Sequence, residues 1–532
     1  MDITTTTLSH LGLVSGTFDE LGIADIIDTN IPKIRNHNLS HSTVIKAMCL
    51  NGLGFNESRL YLYSDYFENL PTERLLGEGI LPEHINDDVL GRTLDKIYEH
   101  GCTELFNKIV LKAMKNVSFD NHILHNDTTS FSLYGNYENR DSKINTIEIT
   151  YGHPKDMRWD LKRFVLNMVC NQGGIPLFVE TLSGNAPDKT TLVKTVKKIQ
   201  KNLELDNKVL HVADSAIYSE DNITELGENT LWITRVPATI NEVKDLQNTD
   251  VELDVCTDMR YSYYETTSSY GGMKQKWVLF QSKATKKQME KTFNNNIEKK
   301  LETANKSLNK LKRVAYACEK DANQAAEKWL EEHQMHQFKQ LSIEPKSRRV
   351  DGKRGRPKKG EELETFYLIK AKIKVNRQVI AQERKKLGRF VLATNDLDLT
   401  VDEILSYYKS QGNVERGFMF LKDKSFHVSE VYLKKESRIE ALSMIMVLCL
   451  FLYSIAQWKL RAGLKEMNKF VRNQVKKPTQ SPTMKWVFFL FRGITELTIS
   501  LDRNVEKRVA NMTDELWDIL SIMGKECEKY YV

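Results

Sequence analysis

The chain has 532 residues, of which 41% are apolar and 28% are charged. At roughly 150 residues per domain this is enough for about three or four domains, and the composition excludes a wholly disordered or fibrous protein. The positive charge is concentrated. Residues 1–115 carry 10 basic against 16 acidic side chains, whereas residues 346–359 carry net +7 and residues 459–492 carry net +8. Such concentrations suit a polyanion such as nucleic acid, or else form a solvated lysine-rich surface.

The cysteine pattern and the apolar segments bear on the compartment. The seven cysteines are dispersed without the C-x-x-C spacing of a structural zinc site, which fits a reducing cytosol. The N-terminus lacks the basic and apolar regions of a signal peptide. Residues 441–458 are uncharged and largely apolar, but the run is shorter than the about 20 residues that a spanning helix needs. We therefore expect a buried core helix and a cytoplasmic protein without a membrane partner.

The first 240 residues change from a helical to a strand-rich pattern. Apolar stripes at residues 44–49 and 90–98 predict a small helical domain over residues 1–115. After it, a helix is predicted at residues 190–202, and period-two or apolar runs predict strands at residues 122–133, 147–151, 164–170, 175–180, 209–213 and 231–236. Several strands, a helix and then a buried strand indicate an α/β core with a mixed sheet.

The second half begins with a distinct segment. Between residues 293 and 315 apolar residues recur every three or four positions, which predicts a helical hairpin or coiled coil. A basic, turn-rich segment at residues 346–360 precedes an alternating strand at residues 369–375. A short strand at residues 389–394 follows, and from residue 400 to the end the pattern predicts mostly helix.

Three acidic residues have unusual contexts. Asp127 lies inside a predicted strand, where aspartate is disfavoured. Asp214 ends an apolar strand, the position at which active-site residues gather in α/β sheets. Glu415 lies on a polar face of a predicted helix. Taken singly, each has an ordinary alternative, namely a strand-edge residue, a helix cap and a solvated helix face.

The helix around Glu415 carries a recognisable spacing. A continuous helix would place four polar side chains on one face, with the spacing Tyr408-x2-Gln411-x3-Glu415-x6-Lys422. Apart from Gln411, this is the signature Y-x2-R-x3-E-x6-K, and the chain resembles the DDE transposases of bacterial insertion sequences that carry it. Residues 482–486 and the strands that hold the two aspartates are also similar to that family.

The resemblance implies an α/β fold in which an RNase H-like mixed-sheet catalytic core is interrupted by an inserted domain. A helical N-terminal domain and a helical C-terminal region are expected on either side of it. The implied boundaries are 1–115 for the N-terminal domain, 116–240 and 387–475 for the two parts of the core, 241–386 for the insertion, and 476–532 for the C-terminal region.

The resemblance also implies the chemistry. Asp127, Asp214 and Glu415 would jointly hold two divalent ions, Mg²⁺ or Mn²⁺, for in-line attack on phosphorus. Further contacts with DNA are expected from the other positions of the signature: Tyr408, Gln411 and Lys422. Glutamine hydrogen-bonds a phosphate without neutralising it, so Gln411 departs from the family pattern.

The inserted segment holds a second resemblance. Lys353-Arg354-Gly355-Arg356-Pro357 is similar to the AT-hook core, whose arginines enter the narrow minor groove of A·T-rich DNA. On this reading Lys353, Arg354 and Arg356 bind DNA. The alternative is a basic loop without a DNA contact.

The expected function is that of a DNA transposase. It would cleave DNA at the ends of an insertion sequence and join the freed 3′-hydroxyls to target DNA. Its partner would be double-stranded DNA, which it would bind as a homodimer in the cytoplasm, associated with the nucleoid. Two alternatives remain open: an RNase H-like nuclease or resolvase without strand transfer, and a catalytically inactive DNA-binding protein derived from a transposase.

Overall fold

The computed structural model describes residues 2–33, 38–54, 62–137, 146–153, 157–203, 209–350, 360, 362–423, 433–501 and 504–532. The α-helices of these ranges are α1 (Leu11–Glu20), α2 (Ile23–Asn30), α3 (His41–Leu53), α4 (Tyr63–Glu68), α5 (Thr72–Leu76), α6 (Asp87–His100), α7 (Cys102–Asn116), α8 (Asp188–Asn202), α9 (Glu220–Leu226), α10 (Asn241–Asn248), α11 (Lys283–Leu311), α12 (Glu319–Glu332), α13 (Arg377–Lys385), α14 (Val401–Lys409), α15 (Gly412–Leu421), α16 (Glu436–Glu466), α17 (Met484–Leu490), α18 (Asp514–Met523) and α19 (Lys525–Glu528).

The β-strands of the same ranges are β1 (Asp2–Thr7), β2 (Ile123–Leu133), β3 (Lys162–Asn171), β4 (Pro176–Ser183), β5 (Leu210–Ala213), β6 (Leu231–Arg235), β7 (Asp254–Val255), β8 (Tyr261–Ser268), β9 (Gln275–Ser282), β10 (His336–Arg349), β11 (Leu363–Val375), β12 (Arg389–Thr394), β13 (Val471–Arg472), β14 (Pro478–Thr479), β15 (Thr495–Leu501) and β16 (Asn504–Ala510).

Nine strands form the central sheet in the order β4-β3-β2-β5-β6-β12-β9-β8-β7. The β2–β5 and β5–β6 pairs are parallel, and the other pairs of this sheet are antiparallel. β2, β3 and β4 follow one another as an antiparallel meander, and α8 then carries the chain across to β5. A mixed sheet of this kind with helical regions at both ends of the chain is consistent with an RNase H-like core, which confirms the predicted fold class.

The segment expected as an insertion contributes to two structures. Its first part, β7 to β9, extends the central sheet, because β9 pairs with β12 from Arg389↔Gln281 to Thr394↔Lys276. Its second part has a separate small core in which α11 and α12 pack against the antiparallel β10–β11 hairpin, around Ala304, Trp329 and Ile369. Sheet and helical hairpin are thus built from one continuous stretch of chain.

One predicted strand is absent, and one small sheet was not predicted. Residues 147–151 do not form a strand and contribute only an isolated bridge, Thr150↔Arg163. From residue 400 onward the described chain is mostly helical, as predicted, but β15 and β16 form a three-stranded sheet with β1 from the opposite end of the chain. Both β1 and β15 contain several β-branched residues, which favour strands. The N-terminal region is therefore helical apart from this strand.

Helix α16 lies at the centre of the molecule. It is long and apolar enough to cross a membrane by length and composition, but 78% of its apolar window is buried inside the protein. It packs on α1, α3, α6 and α7 from the N-terminal region, on β4 of the central sheet, and on α18. The segment predicted as a core helix lies within α16, and one hydrophobic core runs through it from Leu8 to Tyr531.

Candidate active site

Two of the expected acidic residues are neighbours at one edge of the central sheet. The parallel pairing of β2 with β5 ends at Asn126↔Ala213, so the residues that follow, Asp127 and Asp214, stand at the same level on adjacent strands. Such strands are about 4.8 Å apart, and residues in register point to the same face of a sheet. The backbone therefore brings these two carboxylates to one place.

The hydrogen bonding of a neighbouring residue shows on which face of the sheet the two aspartates lie. Asn126 donates a side-chain hydrogen bond to the carbonyl of Leu192 on α8. Because successive strand residues point to opposite faces, Asp127 faces away from α8. That opposite face is covered by α14, which contacts β5 and β6, and by α15, which contacts β2 and β3.

Each aspartate accepts a hydrogen bond from nearby backbone. Asp127 Oδ1 accepts from the N–H of Thr128 at 2.7 Å, and Asp214 Oδ1 accepts from the N–H of Ala216 at 2.8 Å. Asp214 thereby caps the short 3-10 turn Ser215–Ile217. The sequence offered a cap as the ordinary alternative for Asp214, and the residue does act as one while lying exposed at the sheet edge.

A cation stands beside the two acids. β6 is parallel to β5, and their pairing ends at Ala213↔Thr234, so Arg235 stands level with Asp214 on the next strand. Its guanidinium lies 5.8 Å from the ring centroid of Phe390. Arg235 is not among the predicted site residues, because it lies inside a strand predicted to run to residue 236. The available signal was a charged side chain at the end of the strand that follows Asp214.

Helix α15 supplies the third acid, but the continuous signature helix of the prediction is wrong. α14 ends at Lys409 and α15 begins at Gly412. Ser410 Oγ donates to the carbonyls of Ser406 and Tyr407, at 3.1 and 2.8 Å, and this side-chain bonding competes with the regular helix. Tyr408 and Glu415 are thus on two helices rather than on one straight face.

The pKa of Tyr408 nevertheless depends on two of the acids, Asp214 and Glu415. Burial raises the pKa of the half-buried Tyr408 hydroxyl, Arg235 lowers it by its charge and a hydrogen bond, and the charges of Asp214 and Glu415 raise it. A hydroxyl whose pKa is affected by all three groups lies near each of them. Glu415 itself is exposed on the first turn of α15. Tyr408 therefore lies near both the sheet edge and the third carboxylate.

Lys422 reaches the same face at the other end of α15. Its Nζ donates to Thr129 Oγ1 at 2.6 Å and lies 5.3 Å from the ring centroid of Phe131. Thr129 is two residues after Asp127 on β2, so both side chains point to one face of the sheet. Lys422 is thus placed beside the strand of Asp127.

The structure adds little about the other residues predicted to contact DNA. Gln411 lies in the junction between α14 and α15, half-buried, and its side chain does not cap α15. Lys353, Arg354 and Arg356 lie outside the described residues.

The donor set suits a hard divalent cation. Within the described ranges, no group of three or more histidine, cysteine, aspartate or glutamate side chains stands close enough to hold a metal ion. The positions nevertheless fit one, since Asp127 and Asp214 are in register and Tyr408 responds to both Asp214 and Glu415. Carboxylate oxygens are the ligands that Mg²⁺ prefers.

Comparison with known proteins identifies a family for most of the chain. A family model described as Transposase DDE domain matches residues 148–452, which is more than half of the chain and includes Asp214 and Glu415. A second model, described as Domain of unknown function (DUF4277), matches residues 3–111. Asp127 lies in the interval between the two matches, so its assignment depends on the pairing of β2 with β5. No match was found among curated proteins.

Proposed function

The chain belongs to the Transposase DDE domain family, and on that premise we propose that it cleaves DNA at the ends of an insertion sequence and joins the 3′-ends to target DNA. Members of such a family bind DNA, and double-stranded DNA of the element ends and of the target is the proposed substrate. Because two ends must be handled together, the acting form is a homodimer on DNA. It works in the cytoplasm, associated with the nucleoid.

The observation that carries the proposal is the shared level of Asp127 and Asp214 on adjacent parallel strands, together with a tyrosine that responds to Asp214 and Glu415. These three carboxylates would hold two Mg²⁺ or Mn²⁺ ions. When bound, such a pair activates the attacking oxygen and stabilises the leaving oxygen of an in-line displacement at phosphorus.

The other residues of the site orient the DNA. Arg235 and Lys422 place positive charge on either side of the carboxylates, where each can bind a phosphate oxygen. Burial raises the pKa of Tyr408, so its hydroxyl stays protonated at neutral pH and donates a hydrogen bond to a phosphate. We assign Gln411 a secondary contact, because it carries no charge.

A strand-transfer assay separates the candidate functions. The substrate is a labelled duplex copied from DNA that flanks this gene, with a free 3′-hydroxyl at the terminus of the element, incubated with plasmid target and Mg²⁺. Label joined to the plasmid supports a transposase, and Glu415→Gln is the matched inactive control. Nicked duplex without joined product would support a nuclease or resolvase instead. Binding without either product would support the inactive DNA-binding protein.

A further inference from the structure

The C-terminal part of the chain presents a second basic surface, distinct from the sheet edge. It consists of the β13–β14 hairpin, α17, and the arginines Arg461 and Arg492, and we call it the hairpin surface. Residues 459–492 hold nine lysines and arginines against one glutamate. The chemistry assigned to the carboxylates does not use any of them.

The hairpin has a fixed tip. Asn473 Oδ1 accepts from the backbone N–H groups of Val475 and Lys477, at 3.0 and 2.9 Å, which closes the turn between the two strands. Lys476 adopts a positive φ of 60°, an uncommon conformation for a residue other than glycine. The turn therefore holds Lys476 and Lys477 outward beside Val475, whose side chain is 70% exposed.

An aromatic stack adjoins the hairpin. Trp486 and Phe489 of α17 stack with ring centroids 5.1 Å apart, and the Arg492 guanidinium lies 5.1 Å from the Phe489 ring. Trp486 Nε1 donates to the carbonyl of Arg472 at 2.6 Å and so fixes the stack to the hairpin. Phe489 remains 49% exposed. A cation stacked on an aromatic face is held in a defined orientation for a phosphate oxygen.

The hairpin surface is continuous with the candidate active site. Lys485 Nζ binds Asp423 Oδ2 at 3.1 Å, and Asp423 follows Lys422 directly. Burial lowers the pKa of Arg461, and the charge of Arg416 lowers it further, so this arginine lies near the residue that follows Glu415. Positive side chains therefore extend from α15 to α17.

Part of this charge is already neutralised. Lys469 pairs with Asp518, Arg472 with Glu515 and Lys459 with Glu20. In contrast, the described part of the chain gives no ion pair to Lys476, Lys477, Arg461 or Arg492. A concentration of unpaired cations with exposed aromatic rings matches the composition of a nucleic-acid surface rather than that of a protein interface core, which is depleted in lysine.

We propose that the hairpin surface binds the DNA duplex that leads into the candidate active site, with Lys476, Lys477 and Arg492 on its phosphates. This inference rests on the proposed function, because it takes its duplex to be the substrate of that site. Phe489 is a positioning residue that acts through Arg492. A two-stranded hairpin is narrow enough to enter a major groove, which places its tip between the phosphates of both strands.

Salt dependence of binding tests the lysine contacts. A labelled 40-base-pair duplex is titrated with the full chain at several salt concentrations in the absence of divalent ions. Each lost phosphate contact lowers the slope of log K against log salt by about 0.9, so the double variant Lys476→Ala/Lys477→Ala should lower it by about 1.8. The matched control, Lys33→Ala/Lys115→Ala, removes two exposed lysines from the acidic N-terminal region and should leave the slope unchanged.

A double-mutant cycle tests the role of Phe489. If the ring only orients Arg492, Phe489→Ala and Arg492→Ala each weaken binding, and the double variant is no weaker than Arg492→Ala alone. Additive losses would contradict the positioning role, and binding equal to wild type in both single variants would exclude the stack from the DNA contact.

The outcomes separate this inference from the proposed function. An unchanged salt slope in the Lys476/Lys477 variant, with tight binding by the wild type, would overturn the hairpin surface and leave the transposase proposal standing. Failure of the wild-type chain to bind duplex DNA would overturn both. Binding that falls equally in the control pair would show a general charge effect and would also overturn the inference.

Discussion

At the scale of single residues, the cation next to the acids is Arg235 rather than a residue of the signature helix. It ends β6 level with Asp214 and affects the pKa of Tyr408 by its charge and by a hydrogen bond. Gln411, at the position where the similar signature Y-x2-R-x3-E-x6-K has arginine, lies in the junction between two helices. We therefore assign to Arg235 the neutralising role that glutamine does not fill.

Three alanine substitutions test that assignment. Arg235→Ala and Lys422→Ala should each reduce strand transfer more than initial DNA binding, because their charges stabilise the reacting phosphate. Gln411→Ala should have the smallest effect, and Gln411→Arg should preserve or tighten binding to cleaved ends. The measurement is the rate of strand transfer beside the dissociation constant for end DNA. A larger loss from Gln411→Ala than from Arg235→Ala would contradict this ranking.

A second residue-scale feature concerns pH. Burial raises the pKa of Glu440 on α16 to about 7, with a further contribution from the charge of Glu180. The ordinary pKa of a glutamate side chain, 4.5, applies to Glu440 in the unfolded chain. The folded state therefore holds the Glu440 proton more tightly than the unfolded state does. The stability that this proton contributes is fully present below the unfolded-state pKa and is lost as pH rises through the folded-state pKa of about 7.

Glu440→Gln should remove this loss. The variant should match wild type near pH 4.5 and exceed it at pH 8 by on the order of 2 kcal/mol in free energy of unfolding, measured by urea denaturation. Glu466→Gln, at an exposed position of the same helix, is the control and should show no such pH dependence. Parallel pH profiles for wild type and Glu440→Gln would refute the explanation.

At the scale of elements, the signature segment shows where a sequence pattern stops being informative. Spacing alone placed four side chains on one helical face, but the bonding of Ser410 to the carbonyls behind it ends α14 two residues before α15 begins. Whether a serine hydroxyl bonds to the carbonyls of its own helix depends on local geometry. The periodicity of apolar residues does not predict it. The spacing still brought Tyr408 and Glu415 near one another across the junction.

Replacing Gly412 should stabilise this junction. Gly412 opens α15, and an added Cβ would meet only Arg416 Nη1, at 4.0 Å. Gly412→Ala should therefore raise the free energy of unfolding by about 0.4–1 kcal/mol, chiefly by restricting the unfolded chain. Urea denaturation with an unchanged m-value is the measurement. Gly417→Ala is the contrast, because its Cβ would lie 3.1 Å from Leu450 Cδ2 and 3.2 Å from Met168 Cε, and it should not show the gain.

Destabilisation by Gly412→Ala would mean that the junction needs a backbone conformation that alanine resists.

Much of the core was predictable from sequence because apolar runs and turn residues report it directly. The strands β2 to β6 and helix α8 all lie where the pattern placed them. β1 and β15 were missed because their pairing joins residues almost 500 positions apart, and nothing local reports a partner at that distance. In the same way, the level shared by Asp127, Asp214 and Arg235 depends on strand register, which a single sequence does not fix.

At the scale of the whole molecule, the two ends of the chain form one body around α16. α1 packs against α19, and β1 pairs with β15. Gly16 on α1 approaches the backbone so closely that a Cβ would lie 2.5 Å from Cys527 Cα. The acidic N-terminal region is therefore part of the core that supports the central sheet rather than an appended module.

Gly16→Ala tests this integration. The added methyl group pushes α1 away from α19. Overpacking of this kind lowers the free energy of unfolding by about 1–3 kcal/mol. The cost should lower the midpoint of the main unfolding transition in calorimetry, because α1 and α16 share one core. Gly493→Ala, where a Cβ would meet nothing within 4 Å, should leave it unchanged. A separate early transition confined to the N-terminal region, with the main transition unshifted, would contradict a single body.

The central claim is that Asp127, Asp214 and Glu415 act as one metal-dependent centre for DNA cleavage. Its most direct test is Mg²⁺-dependent cleavage of end DNA by the neutral variants Asp127→Asn, Asp214→Asn and Glu415→Gln. Asp396→Asn is the matched control, because this aspartate follows the antiparallel strand β12 and so lies at the opposite edge of the sheet. The account predicts that each of the three variants loses cleavage while it still binds DNA, and that the control cleaves as wild type does. Cleavage at the wild-type rate by any of the three would contradict the claim.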